Sequence, residues 1–286
     1  MKSQIVKRSR SEYIVYSIVF LILSVFALSY VLAYLWGFMA GCKTHTELIM
    51  EPFKFPEKWN FRNYFDAFTL LKVNDVNMLG MIGNSIWLVL GGGFLNVMGG
   101  CLMAYATTKY RFRGRQALIT INIITMIIPI LGALPSQYRI YHKLGMIDSP
   151  LILIGYFGGF GSLNLFMTAF FKNLSWEYAE AAFLDGASHY TVLFRIMIPL
   201  AAGPILALFV MQAVAIWNDY MTALLFLRSM PTLATGIYLF NVQMVYRARM
   251  DILLAATILS SIPVLVLYIC FNKTILTNVS FGGLKG

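Results

Sequence analysis

The chain is 286 residues long, 59% hydrophobic and only 12% charged, with a formal net charge of +10. A water-soluble globule of that composition would expose far too much apolar surface, so a membrane is the fitting solvent. The basic excess comes in short runs divided by apolar segments, which leaves no nucleic-acid footprint.

The apolar residues gather into six segments, at about 13–38, 83–107, 117–138, 149–171, 197–218 and 252–271, and none of the six contains Asp, Glu, Lys, Arg or His. Each is near the ~20 residues that a helix needs to cross ~30 Å of hydrocarbon. Continuous runs without strand alternation predict helices, and so an all-α membrane protein of six transmembrane spans.

Lys2, Lys7, Arg8 and Arg10 precede the first span, and Met39-Ala40-Gly41-Cys42 after it is similar to a lipoprotein cleavage box. A signal peptide has an apolar core of only ~7–15 residues, whereas this run has 26 positions and five further spans follow it. It reads as a retained first helix. The second span carries Gly91-Gly92-Gly93, Asn96 and Gly99-Gly100, and is followed by the basic loop Lys109-Tyr110-Arg111-Phe112-Arg113-Gly114-Arg115. Asn122 lies in the third span, Asn164 with Gly155, Gly158, Gly159 and Gly161 in the fourth, and Gln212 in the fifth. The glycines suit close helix approach, and those of the fourth span also loosen it. The amides either line a pathway or hydrogen-bond neighbouring helices.

Basic density beside the spans places the N-terminal tail and the 109–115 loop in the cytoplasm. With six spans, these two, residues 172–196 and the C-terminus share the inner side, with 12 Lys and Arg against 4 acidic residues. Segments 39–82, 139–148 and 219–251 lie outside, with 10 basic against 8 acidic residues. Cys42, Cys101 and Cys270 show no disulfide or metal spacing, and His45, His142 and His189 have no neighbours at ligand spacing. No metal role follows.

Ion-coupled transporters place ionisable groups inside their bundles, and these spans hold none. No G-x-x-x-x-G-K-[ST] phosphate loop occurs either, so the chain is not expected to hydrolyse ATP, and energy must come from a partner. A membrane scaffold or intramembrane enzyme is disfavoured, because the spans lack paired catalytic groups.

The most informative segment runs from Ser175-Trp176-Glu177-Tyr178-Ala179-Glu180-Ala181-Ala182 through Phe183-Leu184-Asp185-Gly186-Ala187-Ser188 to Ile196-Met197-Ile198-Pro199. It predicts helix, turn, helix: Ser175 as N-cap, Glu177 in the first turn, Gly186 as a left-handed stop and Ser188 as the cap of a second short helix. Ala179, Ala181 and Ala182 are small enough to let another protein approach, with Glu180 at the edge. An amphipathic interfacial helix fits these residues equally well.

Spacing separates the two readings. Glu180-Ala181-Ala182, Gly186 and Ile196-Met197-Ile198-Pro199 resemble the EAA loop of binding-protein-dependent ABC importer permeases, E-A-A-x3-G-x9-I-x-L-P, with Ile198 where Leu is usual. The resemblance covers most of the chain and points to the MalG-like carbohydrate branch. It extends to Asn63-Tyr64, Asn84-Ser85, Ala104-Tyr105-Ala106, Phe112-Arg113-Gly114-Arg115, Leu144-Gly145, Trp217-Asn218-Asp219 and the ending Gly282-Gly283-Leu284-Lys285-Gly286. The chain departs from the pattern at Leu174-Ser175-Trp176, where Pro is frequent, and at Asn272-Lys273, where Gln is frequent.

The resemblance implies a type I fold: one transmembrane domain over 1–286, with a core permease region at 79–275 and a cytoplasmic coupling loop at 172–198 between spans four and five. It implies a bacterial inner-membrane subunit with both termini in the cytoplasm. Its partners would be a second permease subunit in a heterodimer, two ATPase subunits that bind ATP and Mg, and an extracytoplasmic sugar-binding protein. The chain itself would carry no cofactor. Glu177, Glu180, Ala181, Ala182, Asp185, Gly186 and Ala187 would seat in the ATPase. The tail Gly282 to Gly286 would either insert between the ATPase subunits or fray as a terminus. Asn164, Trp217 and Asn218 are candidates for the substrate path, Trp217 serving equally well as an interface anchor. The loop 59–77 is expected to rest against the binding protein. The solute would be a sugar, an oligosaccharide foremost, with an amino acid, peptide or phosphate as the alternative.

Overall fold

A computed structural model of the chain describes residues 10–127, 133–247 and 249–279. The chain divides into two compact units, one of residues 1–70 with 243–259 and the other of 71–242 with 260–286.

The first unit contains α1 (Arg10–Gly41), α2 (His45–Met50) and α3 (Arg62–Leu70). A helix ends with carbonyls that lack intrahelical partners. Asn63 meets that need here, donating from its buried amide to the carbonyls of Gly41 at 2.9 Å and Lys43 at 2.7 Å. The Asn60 backbone N–H adds a bond to the Cys42 carbonyl at 2.8 Å. Thr44 caps α2 by accepting from the Glu47 N–H at 3.3 Å. Arg249 forks onto Asp251, with Nε 3.1 Å from Oδ1 and Nη2 3.1 Å from Oδ2, and this bonding holds the guanidinium above its ordinary pKa.

The second unit opens with a hairpin, β1 (Lys72–Val73) against β2 (Val76–Asn77), turned at Asn74 with φ 52°. Asn77 then caps α4 (Met78–Lys109), its Oδ1 accepting from the Gly80 N–H at 3.0 Å. The chain continues through α5 (Arg115–Ile127), α6 (Ala133–Lys143), a 3-10 segment (Pro150–Tyr156) and α7 (Ser162–Asn173). Next come α8 (Glu177–Leu184), α9 (His189–Val192), a π turn (Leu193–Met197), α10 (Ile198–Leu200) and α11 (Ala202–Asn218). The last helices are α12 (Met221–Phe226), α13 (Leu233–Arg247) and α14 (Met250–Val279); α13 and α14 each run from one unit into the other.

Helix α4 is the axis of the second unit, packed along α7 and α11. Glycine allows the closest part of that approach. A Cβ on Gly99 would lie 3.0 Å from the Gly158 carbonyl oxygen, and one on Gly100 would lie 3.3 Å from the Asn164 amide nitrogen.

Among the described residues three helices are long and apolar enough to cross a membrane, or up to four if a bent pair counts as one. They are α1, α4 and α14, which coincide with the first, second and sixth predicted segments. The fourth is divided: its 3-10 turn ends at Tyr156 and α7 begins at Ser162, with Gly161 at φ +113° between them. Three glycines in four residues favour that interruption, since the helix gains nothing from their side chains and loses much backbone entropy. The third segment is shared between α5 and α6, with residues 128–132 outside the described set. The fifth follows a 70° bend between His189–Leu200 and Ala202–Asn218.

Candidate functional site

Helix α8 begins one residue later than the predicted cap requires. Trp176 holds the cap position in helical backbone geometry, and the Ser175 hydroxyl accepts from the Glu177 N–H at 3.2 Å. The C-terminal stop follows the expected chemistry. Gly186 has φ +81°, its N–H donates to the Phe183 carbonyl at 3.0 Å, and the Ala187 N–H reaches back to the Ala182 carbonyl at 2.9 Å. That double closure is the Schellman arrangement, which L side chains disfavour at the glycine. Nothing lies within 4 Å of where a Gly186 Cβ would be, so backbone conformation, not space, selects glycine. Ser188 caps α9 by accepting from the Thr191 N–H at 3.2 Å.

Packing divides α8 into two faces. Ala179 is fully buried in a core with Ala104, Tyr105, Met167, Phe171, Val192 and Met197. It is therefore the seat of the helix and not part of an approachable face. Glu177, Tyr178, Glu180, Ala181, Leu184, Asp185 and Gly186 are exposed. Leu184 is 89% exposed.

Beneath the loop lies a set of edge-packed rings. Tyr105 meets Phe171 and Tyr110, with centroids 5.5 and 5.6 Å apart, Tyr110 meets Trp176 at 5.9 Å, and Phe183 meets His189 at 4.8 Å. Hydrogen bonds lock them: Tyr110 Oη and His189 Nδ1 are 3.0 Å apart, and Lys109 Nζ donates to the Leu174 carbonyl at 2.6 Å while lying 5.9 Å from the Trp176 ring. Edge-to-face ring pairs are stabilising beyond their buried area. The C-terminal end of α4 is thus fastened directly to both helices of the loop.

The loop leaves through the π turn and Pro199. Proline has no N–H, so the helix cannot complete its regular bonding there, and the chain turns by 70° into α11. The Ala201 N–H closes the bend on the carbonyls of Met197 and Ile198, at 3.1 and 3.0 Å.

The interior amides pair with one another. Asn122 Nδ2 donates to Asn164 Oδ1 at 3.1 Å, Asn122 Oδ1 accepts from the Gly161 N–H at 2.5 Å, and Gln212 Nε2 donates to Asn96 Oδ1 at 3.2 Å. These bonds join helices and hold the break before α7. Trp217 is buried, with its indole N–H donating to the Ser260 carbonyl at 3.0 Å, whereas Asn218 is exposed at the end of α11.

Residues 96–277, more than half of the chain, match the family described as binding-protein-dependent transport system inner membrane component. The chain belongs to that family. Among its relatives, the diacetylchitobiose uptake system permease protein NgcG of Streptomyces coelicolor is 26% identical over 252 residues, covering 87% of this chain and 82% of the relative. The arabinooligosaccharides transport system permease protein AraQ of Halalkalibacterium halodurans is 26% identical over 204 residues, covering 71% and 73%. A chain of a bacterial ABC transporter involved in the import of the acidic polysaccharide alginate shares the fold, with a TM-score of 0.73 at 24% identity, over 93% of this chain and 98% of that one. This protein is therefore a multi-pass, membrane-embedded permease component.

Of the predicted coupling residues, Glu177, Glu180, Ala181, Asp185 and Gly186 are exposed, whereas Ala182 and Ala187 are partly buried against the core beneath the loop. Asn164, Trp217 and Asn218, by contrast, lie on different elements, and two of the three are spent on interior bonds. The tail Gly282 to Gly286 and the basic residues Lys2, Lys7 and Arg8 lie outside the described residues. Sequence reading missed the seat of the loop: Lys109, Tyr110, Trp176, Phe183 and His189. Tyr110 and His189 are 79 residues apart, and no local pattern links them.

Proposed function

We propose that this permease is half of the translocation path of an ATP-driven importer of sugars, oligosaccharides in particular, and that Glu177 to Ala187 is its grip on the ATPase. In this reading the chain forms one transmembrane domain over 1–286, with six spans, its core at 79–275 and both termini in the cytoplasm. It pairs with a second permease subunit, two ATPase subunits bind ATP and Mg beneath, and an extracytoplasmic binding protein delivers the sugar. The chain catalyses no reaction and holds no cofactor of its own. The observation that carries the reading is the loop's two-sidedness: small and acidic residues exposed on α8, over a base of rings tied to α4. ATPase closure that moves α8 would move α4 with it, which is what alternating access requires. The sugar assignment draws on the names of the relatives, two of which specify diacetylchitobiose uptake and arabinooligosaccharide transport.

The tail Gly282 to Gly286 is proposed to enter between the ATPase subunits, and Asn164, Trp217 and Asn218 to border the path, Asn218 being the one exposed. Glu180→Lys and Gly186→Asp test the grip. Both are expected to abolish sugar uptake and copurification with the ATPase while the protein remains inserted. Retained copurification with retained uptake overturns the assignment. A thermal-shift screen of the cognate binding protein against oligosaccharides, amino acids, peptides and phosphate separates sugar from other solutes.

A further inference from the structure

We propose that residues 49–65, next to the C-terminal end of α1, form a collar that lies in the headgroup layer of the membrane and contacts phospholipid rather than protein. Phe53, Phe55 and Phe65 are 81%, 75% and 73% exposed, and Trp59 and Phe61 also face outward. Large rings clustered in this way at a surface mark a site of interaction. The charged side chains Glu51, Lys54, Glu57, Lys58 and Arg62 are exposed among these rings, whereas the two side chains that hold the backbone of this region point inward. Lys43 is fully buried, its ammonium donating to the Glu51 carbonyl at 2.6 Å, and Asn63 is buried on the end of α1.

Two observations set the depth and the partner. The backbone over 51–61 is neither helix nor strand and includes Pro52 and Pro56, so although the Glu57 and Asn60 N–H groups are bonded within the protein, it lacks the continuous internal bonding that hydrocarbon demands. Exposed rings exclude bulk water and irregular backbone excludes the acyl core, which leaves the interface, where aromatic side chains concentrate. The collar is also bound to a lipid-facing helix. Trp36 Nε1 donates to the Pro52 carbonyl at 2.9 Å, the Trp36 and Phe53 rings lie 6.0 Å apart, and 0% of the most apolar stretch of α1 is buried. Lipid that surrounds α1 therefore reaches the collar without a break. Lys54 and Arg62 stand among the rings, in exposed ion pairs with Glu51 and Asp66 at 2.8 and 3.6 Å. Exposed pairs of this kind are weak, so the cationic ends remain available to lipid phosphate.

The inference needs α1 to be a span but does not depend on what the permease carries. Its test uses the complete transporter in vesicles of phosphatidylethanolamine and phosphatidylglycerol, with a benzophenone amino acid in place of Phe53, Phe55 or Phe65 and, as reference, of Phe20 within α1. Irradiation is expected to give phospholipid adducts at all three collar positions, as at Phe20, equally with and without the binding protein. Polypeptide adducts at the collar, to the binding protein or the second permease, overturn the proposal. So does a lack of lipid adduct there while Phe20 gives one. Transport measured on the same vesicles is a separate readout, so a failure of the sugar reading leaves this result intact.

Discussion

The α8 loop and the collar after α1 are built on opposite plans. In the loop, rings of Tyr105, Tyr110, Phe171, Trp176 and Phe183 form the base while Glu180, Ala181 and Asp185 face outward. In the collar, Lys43 and Asn63 form the base while Phe53, Phe55 and Phe65 face outward. Both surfaces are short helices and turns next to long apolar helices, so the difference suits the two partners proposed for them. Rings kept inside give a rigid support for docking a soluble protein, as proposed for the loop. Rings turned out, over a backbone partly bonded from within, suit the headgroup layer proposed for the collar.

The comparison is broken most severely by reversing charge on the proposed docking face. Glu180→Lys is expected to reduce uptake to background without loss of the inserted protein, measured by vesicle transport and membrane fractionation. On the collar side, Asn63→Leu removes the donor to two carbonyls, each buried polar group left unpaired costing ~1–3 kcal/mol. The expected result is a marked fall in the thermal stability of the purified protein. Gly99→Val is intermediate: its side chain meets the Gly158 carbonyl, where a Cβ alone would sit at 3.0 Å. Overpacking of that kind costs ~1–3 kcal/mol, read by the same unfolding assay.

Smaller effects sharpen the contrast. Tyr110→Phe keeps the ring but removes the hydroxyl shared with His189, for a loss of ~1 kcal/mol. ATPase copurification should persist while sugar transported per ATP hydrolysed falls. An unchanged ratio would mean that the ring stack alone fastens the loop to α4. Phe55→Ser is expected to change folding and uptake least, because its ring touches lipid and not the core.

Much of the loop was legible beforehand because its signals are local. Left-handed geometry at Gly186 follows from one residue, and the Ser188 cap from a hydroxyl three residues before its donor. Ala179 was misread as part of an open face. A helix as short as α8 has too few residues for its sequence to say which side meets α7, and three alanines in a row of small residues look alike until one is buried. The amides of the spans were read as lining a path or joining helices, and the pairs Asn122 with Asn164 and Gln212 with Asn96 show the second role.

What the sequence determined by itself was the solvent, the long helices α1, α4 and α14, the turn at Gly186 and the family. Each rests on contiguous residues or fixed short spacing, and so on backbone and transfer energetics that act locally. What only the tertiary structure decided was which sides are inner. The ring base under α8, the Asn63 bridge to α1 and the break before α7 depend on groups from 20 to 79 residues apart. Their pairing is selected by packing and by the cost of leaving a buried polar group unbonded, which no stretch of sequence states alone.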